Sequence, residues 1–186
     1  MKEEDLHFLK RAFNTAYNLS QDENTNTGAL VVFRDTDGTF EILSEGANRA
    51  HYGFNGRFEQ EMPLETKRFF GRPEKYTVLT HAERDAVFGA VRAGHGSILP
   101  MSTLYCTWTP CTPCAEVIIN SGIRRVVTHS YCNNWYSEKI DATKRVNWDK
   151  SIADALRLLS DGVEFECINE PVEGIRLKFD DILREL

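Results

Sequence analysis

No apolar run long enough for a signal peptide or a membrane span occurs in this sequence. Its first twenty residues carry Lys2, Glu3, Glu4, Asp5, Lys10 and Arg11, so a cytoplasmic protein with no membrane partner is expected. Positive charge is also in deficit: 22 Lys and Arg against 28 Asp and Glu leave a net charge of −6. A field of that sign repels polyphosphate, and a long polynucleotide is not the expected ligand, although a small anion can still use a local basic pocket. Repeats, low-complexity tracts and linkers are missing, which argues against solenoids and tethered modules. Cysteines are few and odd in number, five in all, so metal ligation or simple burial is expected rather than a disulfide framework. What is present is an ordinary globular composition, 41% hydrophobic and 27% charged over 186 residues. That length suits a single domain spanning residues 1–186, built on one core.

Leu6, Leu9, Ala12, Phe13, Ala16 and Tyr17 recur at helical spacing and predict an amphipathic helix from about Glu4 to Ser20. Gly28 to Phe33 and Phe40 to Leu43 read as antiparallel strands joined at Asp37-Gly38, the first covered on both faces. Residues 46–80 lose periodicity and read as a long irregular segment lining a site. Helices are expected at 82–93, 111–121 and 152–159, strands at 103–108, 125–128 and 163–167, and a polar loop up to Asn147. Strands alternating with helices after residue 80 imply right-handed crossovers and a parallel half-sheet. Joined to the initial hairpin, this gives an α/β fold, a three-layer α/β/α sandwich around a mixed sheet of about five strands.

His81-Ala-Glu83 opens one expected helix and Pro110-Cys-Thr-Pro-Cys114 opens another, each after a strand. Two helix N-termini therefore face one point. Zinc accepts imidazole and thiolate, and a catalytic zinc keeps three protein ligands and an open corner for water; His81, Cys111 and Cys114 make that set. The i, i+3 spacing puts both sulfurs on one face of a first helical turn, where free N–H groups and the helix dipole favour thiolate. Pro110 and Pro113 suit that early turn. Glu83 falls beside the open corner, placed to take a proton as general base and return it as general acid. Alone, a Cys-x-x-Cys is equally a structural half-site, a chance pair or a thioredoxin-like redox pair. The redox reading leaves His81 and Glu83 without a role, and no second Cys/His pair closes a structural site.

These motifs resemble those of the zinc-dependent cytidine and deoxycytidylate deaminases, which share a His-x-Glu and Pro-Cys-x-x-Cys signature. Within that family the sequence looks most like the deoxycytidylate (dCMP) deaminases. The likeness is carried by Gly46-Ala-Asn-Arg49, Arg72-Pro-Glu-Lys-Tyr76, His81-Ala-Glu-Arg84 and the run from Trp108 to Ile123, and it covers about residues 28–168. It implies a cytidine deaminase-like fold, a Zn²⁺ cofactor and hydrolytic deamination of dCMP to dUMP in pyrimidine deoxynucleotide metabolism. In relatives an asparagine matching Asn48 holds the sugar; a plain turn after Gly46 accounts for it as well, and Gly53-Phe-Asn-Gly56 is a rival for the same loop motif. Two positions depart from the pattern: Asp85, where many relatives have Asn, and Arg49, where many have Gly. The resemblance further implies a homo-oligomer, commonly a hexamer, activated by dCTP and inhibited by dTTP, sometimes with Mg²⁺ on the effector.

The mechanism so implied starts from zinc lowering the pKa of water from roughly 16 to about 7. Glu83 relays the proton to N3 of the pyrimidine as hydroxide attacks C4, then protonates the amino group as ammonia leaves. An aromatic must hold the base, and Trp108 and Tyr131 are the candidates, with plain packing the alternative for each. Arg49 and Lys75 are candidate phosphate or effector contacts, with an ordinary ion pair the alternative. His129 reads as a phosphate contact or a structural histidine; Cys106 and Cys167 read as small buried apolar residues. Rival functions are a deaminase of tRNA, one of cytidine or free base, and a zinc-stabilised binding module without turnover. The acidic balance weighs against the first and Glu83 against the last.

Overall fold

The computed structural model describes residues 2–50, 75–137 and 148–186. The N-terminal periodicity becomes helix α1 (Lys2–Leu19), which buries Phe8, Leu9, Ala12, Phe13 and Ala16. The apolar run after it forms β1 (Gly28–Arg34), paired antiparallel with β2 (Phe40–Ala47). There follow β3 (Arg49–Ala50), α2 (Lys75–Val78), β4 (Leu79–Thr80) and α3 (Ala82–Arg92). Next come β5 (Ser102–Cys106), α4 (Thr112–Ser121), β6 (Arg125–His129) and α5 (Ser130–Ser137). The chain ends with α6 (Trp148–Leu159), β7 (Glu164–Ile168) and the pair β8 (Arg176–Phe179) and β9 (Ile182–Glu185).

One mixed sheet of five strands runs in the order β2-β1-β5-β6-β7. β1 is antiparallel to both neighbours, and β5, β6 and β7 are parallel, as the alternation of strands and helices requires. The sheet is the middle of three layers. On one face α1 sets Phe8, Leu9 and Ala12 against Leu30, Val32, Tyr105 and Val127. On the other, α3, α4 and α6 set Ala86, Ala90, Ile118 and Leu159 against Ala29, Val31, Leu104 and Val126. β1 thus feeds alternate residues into two cores, which is why its sequence is apolar throughout instead of alternating.

Three details differ from expectation. The polar stretch after β6 begins as helix α5, whose Cys132 and Trp135 turn into a third cluster with Phe13, Val172, Leu177 and Phe179; Asn133 and Asn134 between them dilute the apolar stripe. The hairpin β8–β9 was not anticipated, because its turn uses Asp180 and Asp181 at φ 54° and 68° with no glycine to signal it. Cys167 is exposed, whereas Cys106 is buried, because Cys167 sits on β7, the edge strand of the sheet. The motif Gly53-Phe-Asn-Gly56, the first residues of the Arg72 to Tyr76 segment, and residues 138–147 of the expected loop lie outside the described residues.

Two glycines let helices sit directly on the sheet. A Cβ on Gly28 would come within 2.2 Å of the Ala12 carbonyl oxygen, and one on Gly46 within 2.3 Å of both the Ala82 carbonyl oxygen and the Ala86 nitrogen. Neither contact is to a side chain that could swing away, so Gly46 fixes how closely the first turn of α3 approaches β2. Gly46→Ala is therefore expected to destabilise the protein by about 2–3 kcal/mol through forced backbone displacement. A chemical denaturation midpoint equivalent to less than about 0.5 kcal/mol of change would mean that α3 is free to shift.

Candidate active site

Each chemically active group sits at a strand-to-helix junction. His81 is the N-cap of α3 in extended conformation, and Glu83 lies in the first turn of that helix. Cys111 is the N-cap of α4, with Cys114 one turn in; the N–H groups of Cys114 and Ala115 donate to the Cys111 carbonyl at 3.0 and 2.9 Å. Both cysteines are buried. His81 Nδ1 lies 3.3 Å from Cys111 Sγ and 3.5 Å from Cys114 Sγ, and the two sulfurs are 3.5 Å apart. A tetrahedral zinc with ordinary Zn–S and Zn–N distances spaces its ligand atoms about 3.5–3.8 Å apart. The trio fits zinc in donor type and spacing, and is the cluster able to hold a metal among the described residues. Glu83 Oε2 is 3.5 Å from Cys114 Sγ, which puts a carboxylate against the trio without making it a fourth thiolate or imidazole.

The electrostatics follow from burial and proximity. The contact with Cys114, opposed by burial and reinforced by His81, holds the Cys111 thiol down at about 4, whereas the same sulfur–sulfur contact and burial push Cys114 well up. Burial is the largest influence on His81 and lowers it, but the hydrogen bond to Cys111 together with the negative charge of Cys111 and Glu83 outweighs it and raises His81. Glu83 is raised above the usual carboxylate range, chiefly by burial. A carboxyl whose proton affinity is raised by burial is suited to giving and taking one proton.

A cleft open to solvent lies over these groups. The described residues lining it include His81, Glu83 and Cys111, with Asn48, Trp108 and Lys75 from the sequence-based candidates. Asn48 is buried; its Oδ1 accepts the Ala82 N–H at 3.2 Å, and its Nδ2 donates to Asp22 at 3.3 Å. Trp108 packs edge-on against Phe179 at 5.0 Å, and its buried Nε1–H has no acceptor among the described residues. Lys75 is clamped on Asp22 at 2.7 Å. Two candidates lie elsewhere. Tyr131 is not among the lining residues: its ring stacks on Trp135 and its hydroxyl accepts the Val172 N–H, so it belongs to the third core cluster. Arg49 also lies outside the lining and pairs with Asp85 at 2.6 Å. The two positions that depart from the family pattern thus satisfy each other, with Asp85 also accepting the Ala47 N–H. His129 is fully buried, bonded through Nε2 to the Glu170 carbonyl at 2.8 Å, the arrangement of a structural histidine.

Several lining residues carried no local signal: Asp22, Thr25, Tyr136, Trp148, Phe179 and Asp180. Their roles depend on contacts across the fold, such as Trp148 at 5.8 Å from the His81 ring and 6.1 Å from Trp108.

One imidazole, two thiol groups and a carboxylate brought together from two helix N-termini on a mixed α/β sheet make a site able to hold one metal ion beside an acid–base group. The family model for the cytidine and deoxycytidylate deaminase zinc-binding region matches residues 2–130, and the chain belongs to that family. Deoxycytidylate deaminase of Pongo abelii is 26% identical over 178 residues, 95% of this chain and 85% of that protein. The deoxycytidylate deaminase of Enterobacteria phage T2 is 35% identical over 75 residues, covering 40% of this chain and 34% of that one. The dCMP deaminase of cyanophage S-TIM5 shares the fold: its apo form aligns with a TM-score of 0.57 at 20% identity over 90% of this chain and 99% of that chain. Its complex with dCMP and dUMP aligns at 0.51 and 23% identity over 86% and 95%.

In protein stripped of metal, iodoacetamide at pH 5.5 is expected to label Cys111 ahead of Cys106, Cys114 and Cys132, since only Cys111 is held near 4 and ordinary thiols ionise near 8.5. Lowering the pH through 4 should abolish that preference, and added zinc should protect the residue. Peptide mapping showing uniform labelling at pH 5.5 would contradict the coupled thiol–thiolate pair.

Proposed function

We propose that this protein hydrolytically deaminates dCMP to dUMP and ammonia with His81, Cys111 and Cys114 as zinc ligands and Glu83 as the catalytic proton carrier. The observation that carries the reading is Glu83, a buried carboxyl with a raised pKa lying 3.5 Å from Cys114 at the floor of the cleft. The relatives named above support the choice of substrate.

A zinc ion on the trio supplies Lewis acidity that makes water a nucleophile near neutral pH. Glu83 takes a proton from the attacking water and delivers it to N3 of the pyrimidine. Glu83 then takes the proton of the new C4 hydroxyl and passes it to the amino nitrogen, so that the C4–N bond breaks, ammonia leaves and C4 becomes the carbonyl of dUMP. Burial raises the proton affinity of Glu83, which suits a group that accepts and returns a proton twice in one turnover. Asn48, fixed on the Ala82 N–H, would hold the sugar, the role that the family resemblance gives the matching asparagine. Trp108 lines the cleft and would pack against the base. Five cysteines without a disulfide suit a reducing compartment, and among the described residues no helix is long and apolar enough to cross a membrane, so the site of action proposed is the cytoplasm. The family resemblance extends the proposal to a homo-oligomer with dCTP and dTTP as effectors and Mg²⁺ on the effector. A hyperbolic dCMP rate curve indifferent to both triphosphates would remove that part.

The test is ammonia release and absorbance change with dCMP, dCTP, cytidine, cytosine and a short tRNA. Turnover is expected to be highest with dCMP; release from tRNA but not from dCMP would replace the substrate. Glu83→Gln is expected to lower kcat by at least roughly a thousandfold while zinc content stays unchanged. Activity within tenfold of wild type would remove Glu83 from its role.

A further inference from the structure

One side of the cleft is organised by a carboxylate that no motif marks. Asp22 is 5% exposed. Its Oδ1 accepts the N–H groups of Asn24 and Thr25 at 2.9 and 3.0 Å. Lys75 Nζ donates to Oδ1 at 2.8 Å and to Oδ2 at 2.7 Å, and Asn48 Nδ2 donates to Oδ2 at 3.3 Å. Asn48 Nδ2 also reaches the Thr25 carbonyl at 3.3 Å, while its Oδ1 holds the Ala82 N–H. An acceptor on one side and a donor on the other permit one orientation of the Asn48 amide, and the acceptor side is Asp22.

The same turn receives the C-terminal hairpin. Asp180 N–H donates to Thr25 Oγ1 at 3.2 Å, Asp181 N–H donates to the Asn24 carbonyl at 2.8 Å, and Asn24 Nδ2 donates to Asp181 Oδ1 at 2.8 Å. These bonds bring Phe179 and Asp180 into the lining of the cleft, although both lie beyond residues 2–130, the stretch that the family model matches. A buried ion pair such as Lys75–Asp22 recovers little net stability after desolvation. What it does supply is a fixed geometry for everything bonded to it.

We propose that Asp22 is the positioning residue of the substrate-binding wall. With Lys75 clamped across it, Asp22 orients Asn48 and, through the turn at residues 22–25, docks the C-terminal hairpin so that Phe179 and Asp180 complete the part of the cleft that receives the sugar-bearing side of the nucleotide. This rests on the dCMP reading. Because Asp22 touches neither the metal trio nor Glu83, its loss acts on binding before it acts on proton transfer.

The experiment is steady-state kinetics on the zinc-loaded full chain. Asp22→Asn replaces an acceptor with an amide, and Asp22→Asn combined with Lys75→Met removes both charges together, so that folding is not compromised by an unmatched buried ammonium. In both, KM for dCMP is expected to rise at least roughly tenfold with kcat within about threefold of wild type and zinc content unchanged. Asn24→Ala, which cuts the exposed bond to the hairpin, is expected to raise KM roughly threefold with kcat unchanged, and decides the matter if the Asp22 variants do not fold. A KM within twofold of wild type in the double variant, or a fall in kcat at constant KM, overturns the role of Asp22. Wild-type protein inert toward dCMP overturns the function itself, whereas active wild type with an unmoved variant KM overturns only this inference.

Discussion

The structure depends on two helix N-termini meeting over the edge of one sheet. α3 brings His81 and Glu83, α4 brings Cys111 and Cys114, and the three donor atoms lie within 4.8 Å of one another. Helix N-termini carry partial positive charge and unsatisfied N–H groups, which make a thiolate and a carboxylate tolerable inside a protein. Hydrogen bonds from Cys114 and His81 let Cys111 ionise readily, while burial gives Glu83 an elevated proton affinity.

That meeting point has to be held to within a fraction of an ångström, and the fold does this from beneath and from the side. Beneath it, Gly46 removes the side chain that would keep α3 off β2. At the side, Asn48 caps the Ala82 N–H, and Asp85, one turn into the helix, ties Ala47 and Arg49 back to α3. The segment from Ala47 to Arg49 is thus bonded to α3 and its N-terminus at each residue, and Asp85 and Arg49 neutralise each other.

Beyond the metal trio the cleft changes character. Trp148, Trp108 and Phe179 run as a chain of ring contacts from His81 to the C-terminal hairpin, and Asp22, Lys75 and Asp180 line the cleft as charged groups. An apolar wall that takes a flat ring, joined to a polar wall that takes hydroxyl or phosphate oxygen, is what a nucleotide requires. The polar wall combines Lys75 with the turn at residues 22–27 and the hairpin at residues 176–181, the last two bridged by the backbone bond from Asn26 N–H to the Lys178 carbonyl.

The chemistry was legible in the sequence because it is local. His81 and Glu83, and Cys111 and Cys114, are separated by two and three residues, and a single helical turn converts such spacing into juxtaposition without help from the rest of the chain. The sheet was legible for a similar reason: β1 is apolar throughout and the later strands alternate with helices, so local pattern reports burial. The substrate wall was not legible. Asp22 and Lys75 lie 53 residues apart, and Asp180 and Thr25 lie 155 apart; no local period links them. Tyr131 and Trp108 looked alike as aromatics near the motifs, and only packing sent one to the core and the other to the cleft. Residue spacing by itself determined which side chains share one helical turn; tertiary structure decided that the two turns meet, His81 and Cys111 being 30 residues apart, and what surrounds them, because long-range contacts are selected by the shape of the whole core and leave no trace in the order of the residues.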